Sequence, residues 1–194
     1  MPTSLCRCMA FEPKGEHPMS ASPATVTAEI HGFSNPDATP TPWATGLEQV
    51  VAADTFWVST VRPDGRPHVT PLIAVWHDGA MWFTTGPDER KARNLAENSA
   101  VVLTTGRPDL SGDNLDVVLE GRAEPVTDSE RLQAVADAFT AKYGTATWHF
   151  VVRDGAFSHP EAGGRALVFC VRPVRGLGFR KGEHSSQTTW TFPS

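Results

Sequence analysis

The sequence predicts a mainly β fold, a small barrel with two or three helices. Three observations carry this. Six or seven runs rich in Val, Thr, Ile, Trp and Phe recur at near-regular spacing along the chain, the pattern of a small β-barrel. Two of the turns between them, Arg62-Pro63-Asp64-Gly65 and His77-Asp78-Gly79, carry Asp-Gly, a strong hairpin signal because glycine takes positive φ without steric cost. And there is no glycine-rich dinucleotide fingerprint and no internal repeat, so a parallel α/β sheet or a solenoid has no support.

Taken in order, residues 1–40 hold six prolines among Ser, Thr, Glu and Lys. That composition does not bury enough apolar surface to offset its ordering entropy, so it reads as a disordered tail. A single domain is then expected over residues 41–194. Thr41-Pro42 reads as an N-cap followed by proline at the first helical position, with Trp43, Leu47, Val50 and Val51 on one face of a short helix. The stretch 55–105 follows as two strand-turn-strand units, a short basic helix from about Asp88, and another strand. Residues 115–126 read as a strand with a bulge or bend at Gly121. Residues 127–130, TDSE, form a capping-box pattern, with Leu132, Val135, Ala136, Phe139 and Tyr143 at helical spacing and Gly144 as the stop. A short element over 148–152 and a turn at 153–155 precede strands at 165–173, 176–181 and 187–192.

The net charge is −5 with a pI near 5.8, which argues against nucleic acid or an anionic membrane as the main partner. The three cysteines, Cys6, Cys8 and Cys170, make no disulfide framework, and no Cys/His spacing reads as a zinc site. The N-terminus lacks the apolar run of a signal peptide, and the longest purely apolar run, residues 166–171, is far too short to span a bilayer. A reduced, cytoplasmic setting is expected.

Binding chemistry concentrates in residues 84–95, TTGPDERKARNL. Two hydroxyls end a strand, a Gly-Pro turn exposes amides, and Arg90, Lys91 and Arg93 sit in the first two turns of a helix. Hydroxyls, free amides and cations are what a phosphate takes. Solvated helix charges with Asp88 as a cap read the same residues equally simply. His68, in RPHVTPL, lies beside Thr70 and Pro71; a proline in a strand belongs at an edge or bulge, where it leaves neighbouring backbone groups free for a ligand or for water. Among the six tryptophans, Trp57, Trp76 and Trp82 fall within strands as core or interface anchors. Trp148 and Trp190 lie in less regular stretches, where an indole reaches either the core, a ligand or a partner subunit. No serine sits in a nucleophile-elbow context.

The ordered series DGRPHVTP, WFTTG, ERKARNL, NSAVVL and a strand ending in EG resembles the pyridoxamine 5′-phosphate oxidase-like flavin and deazaflavin oxidoreductases, with the later stretch similar to their actinobacterial branch. The resemblance spans residues 46–192 and implies an FMN-binding split β-barrel, a homodimer, and FMN or coenzyme F420 in the groove between subunits. It implies a phosphate held by Thr84, Thr85, Arg90, Lys91 and Asn94, a ring lying along His68, Val69, Thr70 and Pro71, and a C-terminal contact from Trp190. The implied activity is hydride transfer between the cofactor and a small organic substrate, with no catalytic side chain nameable. The alternative is a non-catalytic flavin, deazaflavin or haem-like ligand carrier of the same fold.

Overall fold

The computed structural model describes residues 25–106, 114–146, 149–182 and 185–193. Its organising element is β10 (Gly163–Arg180), an 18-residue strand that pairs with four others. Along one edge it meets β7 (Leu115–Val126), and along the other β5 (Ala80–Thr85) and then β11 (Ser186–Thr191). Its first residues also carry β9 (Ala156–His159), which hairpins with β8 (Val151–Arg153). The main path of the sheet runs β1-β11-β10-β7-β6-β2-β3, with β1 at Thr27–Ile30, β6 at Ala100–Thr105, β2 at Phe56–Val61 and β3 at Pro67–Leu72; β4 (Ala74–His77) pairs with β5. Every pairing is antiparallel. The mainly β fold of the sequence reading stands, with eleven strands among the described residues where six or seven were expected.

The Asp-Gly turns behave as expected. Asp78 and Gly79 both take positive φ, 47° and 68°, the two-residue turn whose twist matches its flanking strands. Gly65, at φ 82°, closes the β2–β3 hairpin while the Arg62 N–H bonds the Arg66 carbonyl at 2.9 Å.

Three expectations are corrected. The strands expected at 165–173 and 176–181 are one strand, because β10 continues through Pro173 with only a register shift between Pro173 and Arg175. That shift lies on the strand facing Gly121, where a Cβ would come within 2.7 Å of the Arg172 carbonyl oxygen; the irregularity belongs to the proline strand rather than to Gly121 itself. The tail expected to be disordered over 1–40 falls outside the described residues up to residue 24, but β1 within it pairs with β11, Thr27 opposite Thr191 through Ile30 opposite Thr188. Its backbone finds the sheet's open edge, and Val26 and Ala28 pack on the core, so the low apolar content of the whole segment hid a short strand. Thr41 does not cap a helix. Its N–H bonds Thr188 Oγ1 at 2.9 Å and its carbonyl takes the Trp190 indole N–H at 2.8 Å, and helix α1 (Trp43–Ala52) starts after Pro42 with no side-chain cap.

Helix α3 (Ser129–Tyr143) is capped by Asp128, which accepts the Arg131 N–H at 2.9 Å, and ends at Gly144, φ 74°. Its apolar face, Leu132, Val135, Ala136 and Phe139, is buried and forms a second core with Trp82, Phe157 and Val168. The first core, with Phe56, Val58, Phe83, Leu103, Leu119 and Trp190, fills the barrel. Tyr143 ties α3 to the barrel: its hydroxyl accepts the Ala74 N–H at 3.3 Å and lies 2.9 and 3.0 Å from the Ala74 and Asp54 carbonyls. Burial pushes this phenol up to about 12, so it remains a donor across the physiological range.

Candidate functional site

A cavity of 430 Å³ opens where the end of β5 meets the end of β3, a size typical of small-ligand sites. One wall is apolar: Pro71, Leu72, Ile73, Phe150 and Ala166. Phe150 is held by the second core, stacked on Phe157 at 4.9 Å and edge-on to Phe139 at 5.3 Å. The opposite end is polar, formed by Thr84, Thr85, Gly86, Glu89 and Lys91, with Thr55 at the rim. A larger hollow of 500 Å³ lies against residues 35–42, Arg180 and Ser186, and none of the candidate residues lines it.

The polar end is set by the junction of β5 with helix α2 (Arg90–Glu97). The sequence places this helix start near Asp88, with Asp88 and Glu89 in its first turn. In the structure Glu89 is the extended residue before the helix, φ −70° and ψ 151°, and the first turn holds no acid. Its carboxylate folds back over the turn. Oε1 accepts the Gly86 N–H at 2.8 Å, and Oε2 accepts from Lys91 Nζ. Lys91 is 9% exposed at its side chain while Glu89 is 52% exposed, so the cation is the buried member of the pair. Burial pushes the Glu89 carboxyl up, but hydrogen bonds from Lys91 and the Gly86 amide outweigh it and hold the group below its ordinary value.

Beside this pair runs a buried polar chain. Asn94, wholly buried, donates to Thr60 Oγ1 at 2.9 Å. The Thr60 hydroxyl has its own proton for His68, whose Nδ1 lies 3.5 Å and whose carbonyl lies 3.4 Å away. Three buried side-chain atoms among the described residues have no hydrogen-bond partner: Arg62 Nε, Thr70 Oγ1 and Asn94 Oδ1. All three lie on the β2–β3 hairpin or on α2, and orphaned polar atoms gathered in one region mark a place where water or a ligand completes the bonding.

His68 is held below its ordinary value of 6.5 by burial first, then by the cations Arg62, Lys91 and Arg90. An unfolded chain therefore takes up this proton at a higher pH than the folded one, and stability rises with pH across that window. Stability is expected to fall as pH drops below 6.5, by at most about 1.4 kcal/mol per pH unit for one proton. The depressed carboxyls Glu89 and Asp64 act in the same direction at lower pH. Denaturant melts of wild type and His68→Gln between pH 7 and 5 check this: the wild-type slope should exceed that of the variant.

Of the residues singled out from sequence, Pro71, Thr84, Thr85 and Lys91 line the cavity. The Thr84 hydroxyl is already spent on the Leu167 carbonyl, at 3.0 Å. His68 and Asn94 belong to the adjoining polar chain. Thr70 carries one of the orphan atoms. Val69, on the alternate face of β3, is 51% exposed and does not line the cavity. Arg90 is exposed and outside it. Trp190 is corrected outright: it is 0% exposed, its N–H bonds Thr41, and it belongs to the barrel core. Sequence reasoning missed Leu72, Ile73, Phe150, Arg62 and the position of the Glu89 carboxylate. A glutamate three residues after a turn glycine was the one available signal, and it reads equally as a helix cap. Among the described residues, no three or more His, Cys, Asp or Glu gather as metal ligands, and no helix is long and apolar enough to cross a membrane.

Residues 44–176 match a family model described as pyridoxamine 5′-phosphate oxidase. A pyridoxine/pyridoxamine 5′-phosphate oxidase of Bacteroides thetaiotaomicron is 38% identical over 74 residues, 38% of this chain and 33% of that protein; the chain thus matches about a third of that relative's length. Among solved structures, a conserved hypothetical protein from Mycobacterium tuberculosis aligns with a TM-score of 0.61 at 22% identity, covering 76% of this chain and 89% of the other. A heme binding protein from Mycobacterium smegmatis aligns with a TM-score of 0.58 at 18% identity, covering 77% and 59%. At these identities the two structures share the fold.

Proposed function

The chain belongs to the pyridoxamine 5′-phosphate oxidase family, and from that premise we propose that it is a flavin- or deazaflavin-dependent oxidoreductase acting on a small organic substrate in the cytoplasm. The observation that carries the reading is the 430 Å³ cavity with an apolar wall on one side and a buried lysine on the other. An apolar wall of Pro71, Leu72, Ile73 and Phe150 suits a flat ring, while the orphaned atoms of Arg62, Thr70 and Asn94 lie buried on the adjoining hairpin and helix, off the wall itself. The anion end fits less well, because the Glu89 carboxylate already holds the donors a phosphate would use.

A bound flavin or deazaflavin supplies the hydride chemistry itself. What this chain contributes is binding, orientation and exclusion of water. Leu72, Ile73 and Phe150 would hold the ring, and Tyr143 fixes the segment before β4 that carries Ile73 through its bonds to Ala74. His68, biased toward its neutral form by burial, keeps a lone pair and an N–H available beside the Thr60–Asn94 chain. We further propose a homodimer, supported by the exposed apolar face of β2 and β3.

One observation favours a second reading, a non-catalytic carrier of a flavin, deazaflavin or haem-like ligand. The titratable side chains on the cavity wall are Glu89 and Lys91, each engaged with the other, so the wall itself offers no free proton donor. Parallel titration with FMN, coenzyme F420 and haem, followed by reoxidation of the reduced complex with candidate acceptors, separates the readings. The oxidoreductase is expected to bind FMN or coenzyme F420 and to turn it over faster than the free cofactor; binding without acceleration identifies a carrier, and binding of neither overturns the proposal. Arg90→Ala is expected to change affinity by less than about threefold, as exposed charges contribute little.

A further inference from the structure

The geometry at Gly86 points to a role for Glu89 that deepens the reading above and rests on it: Glu89 fills the cavity's anion subsite with the protein's own carboxylate, so the pocket gives no preference to a ligand bearing a phosphate at that end. The donors are the ones a phosphate monoester would recruit. The Gly86 N–H reaches Glu89 Oε1 at 2.8 Å, and the buried Lys91 ammonium donates to Oε2. The Thr85 hydroxyl, at the same turn, donates to the Gly86 carbonyl at 3.4 Å. An incoming phosphate must displace an anion that is tethered two residues from its lysine and held by the amide of its own turn. Intramolecular occupancy of this kind competes at high effective concentration.

Two features of the pair make this a matter of specificity rather than of surface charge. Lys91 is the buried partner, at 9% exposure, and a buried cation that loses its counter-ion carries the full desolvation cost. The Glu89 side chain, at 52% exposure, reaches water at the cavity mouth, so the site opens without rebuilding the core. A ring whose tail is uncharged at the Gly86 end leaves the pair intact. A ring with a phosphate there gains the lysine only by breaking an equivalent contact, and the exchange is close to neutral.

The test compares FMN with riboflavin, which shares the ring and lacks the phosphate, and uses inorganic phosphate as a separate probe. Wild type is expected to bind the two flavins within about threefold of each other and to show no melting shift with phosphate beyond that of chloride at equal ionic strength. In Glu89→Ala the vacated Lys91 and Gly86 donors are expected to favour FMN over riboflavin by tenfold or more, about 1.4 kcal/mol. The same variant should melt lower than wild type and recover by about 5 °C in saturating phosphate. Glu97→Ala, at the exposed far end of α2, is the control and should behave as wild type. Should Glu89→Ala fail to fold, Glu89→Gln keeps the acceptor for Gly86 while freeing Lys91, and is expected to show the same preference in smaller degree. A wild type that prefers FMN as strongly as the variants, or variants that gain no phosphate response, would overturn the assignment. If no protein binds either flavin, the cofactor reading fails, and the phosphate response alone still decides the role of Glu89.

Discussion

Trp190→Ala is expected to lower the unfolding free energy by about 3–5 kcal/mol and the melting temperature by roughly 10–15 °C, a loss at the upper end of what a single truncation causes. The indole is 0% exposed, and the fold is shaped around it. A Cβ on Gly46, Gly176 or Gly178 would come within 2.7, 3.0 and 2.5 Å of its ring, so three glycines from α1 and β10 make the slot it fills. Trp43 packs against it edge-on at 5.3 Å and 66°. Its N–H to the Thr41 carbonyl, 2.8 Å, fixes the segment leading into α1, and truncation leaves that buried carbonyl unpaired as well as opening a cavity. Thermal melts of the variant beside Trp57→Ala, whose side chain is 44% exposed and belongs to neither core, should show the larger loss in Trp190→Ala. Because Trp190 does not line the cavity, flavin affinity measured below the variant's melting range is expected to stay within about threefold of wild type; a selective loss of binding with stability intact would restore Trp190 to the site.

What the sequence made legible follows from how local each signal is. The hairpins at Asp64-Gly65 and Asp78-Gly79 and the helix from Ser129 to Tyr143 are written in adjacent residues, through turn chemistry and helical spacing, and the structure has them. Strand β1 is not, because four residues of mixed polarity become a strand only when β11, at the far end of the chain, offers an open edge. Trp190 shows the same limit from the other side: its alternation with Thr188 on β11 is visible, but the three glycines that receive it are scattered over α1 and β10. In the site, Thr84, Thr85 and Lys91 were legible as a strand-to-helix junction. Phe150 and Ala166 were not, since they reach the cavity only through the packing of β8–β10 on α3. Which anion the junction holds is a matter of a single side-chain rotamer at Glu89, and residue spacing carries no information about that.

Converting the exposed face of β2 and β3 to like charge, with Trp57→Lys and Val69→Lys together, is expected to turn the proposed homodimer into a monomer and to weaken flavin binding by tenfold or more. Trp57 is 44% exposed and Val69 51% exposed, an uncommon exposure for side chains of this size on adjacent strands of one sheet. In the β2–β3 register Trp57 faces Pro71 and Ser59 faces Val69, and across the other edge of β2 they face Thr104 and Val102 on β6, so the patch crosses three strands with no charged side chain among these positions. A tryptophan at the centre of such a patch is the usual anchor of an interface, and its loss there is commonly worth about 2 kcal/mol or more, roughly thirtyfold in affinity. Two lysines facing their symmetry mates add repulsion across an isologous contact. Binding is expected to follow association because β3 serves both faces: Pro71 sits opposite Trp57 in the sheet and also forms part of the cavity wall. Since neither substituted side chain belongs to the buried cores, the monomer should keep its circular dichroism and cooperative melt. Light scattering at micromolar concentration alongside flavin titration decides the matter. A wild type that is monomeric, or a monomeric variant that binds as tightly as wild type, would remove the dimer from the account of the site.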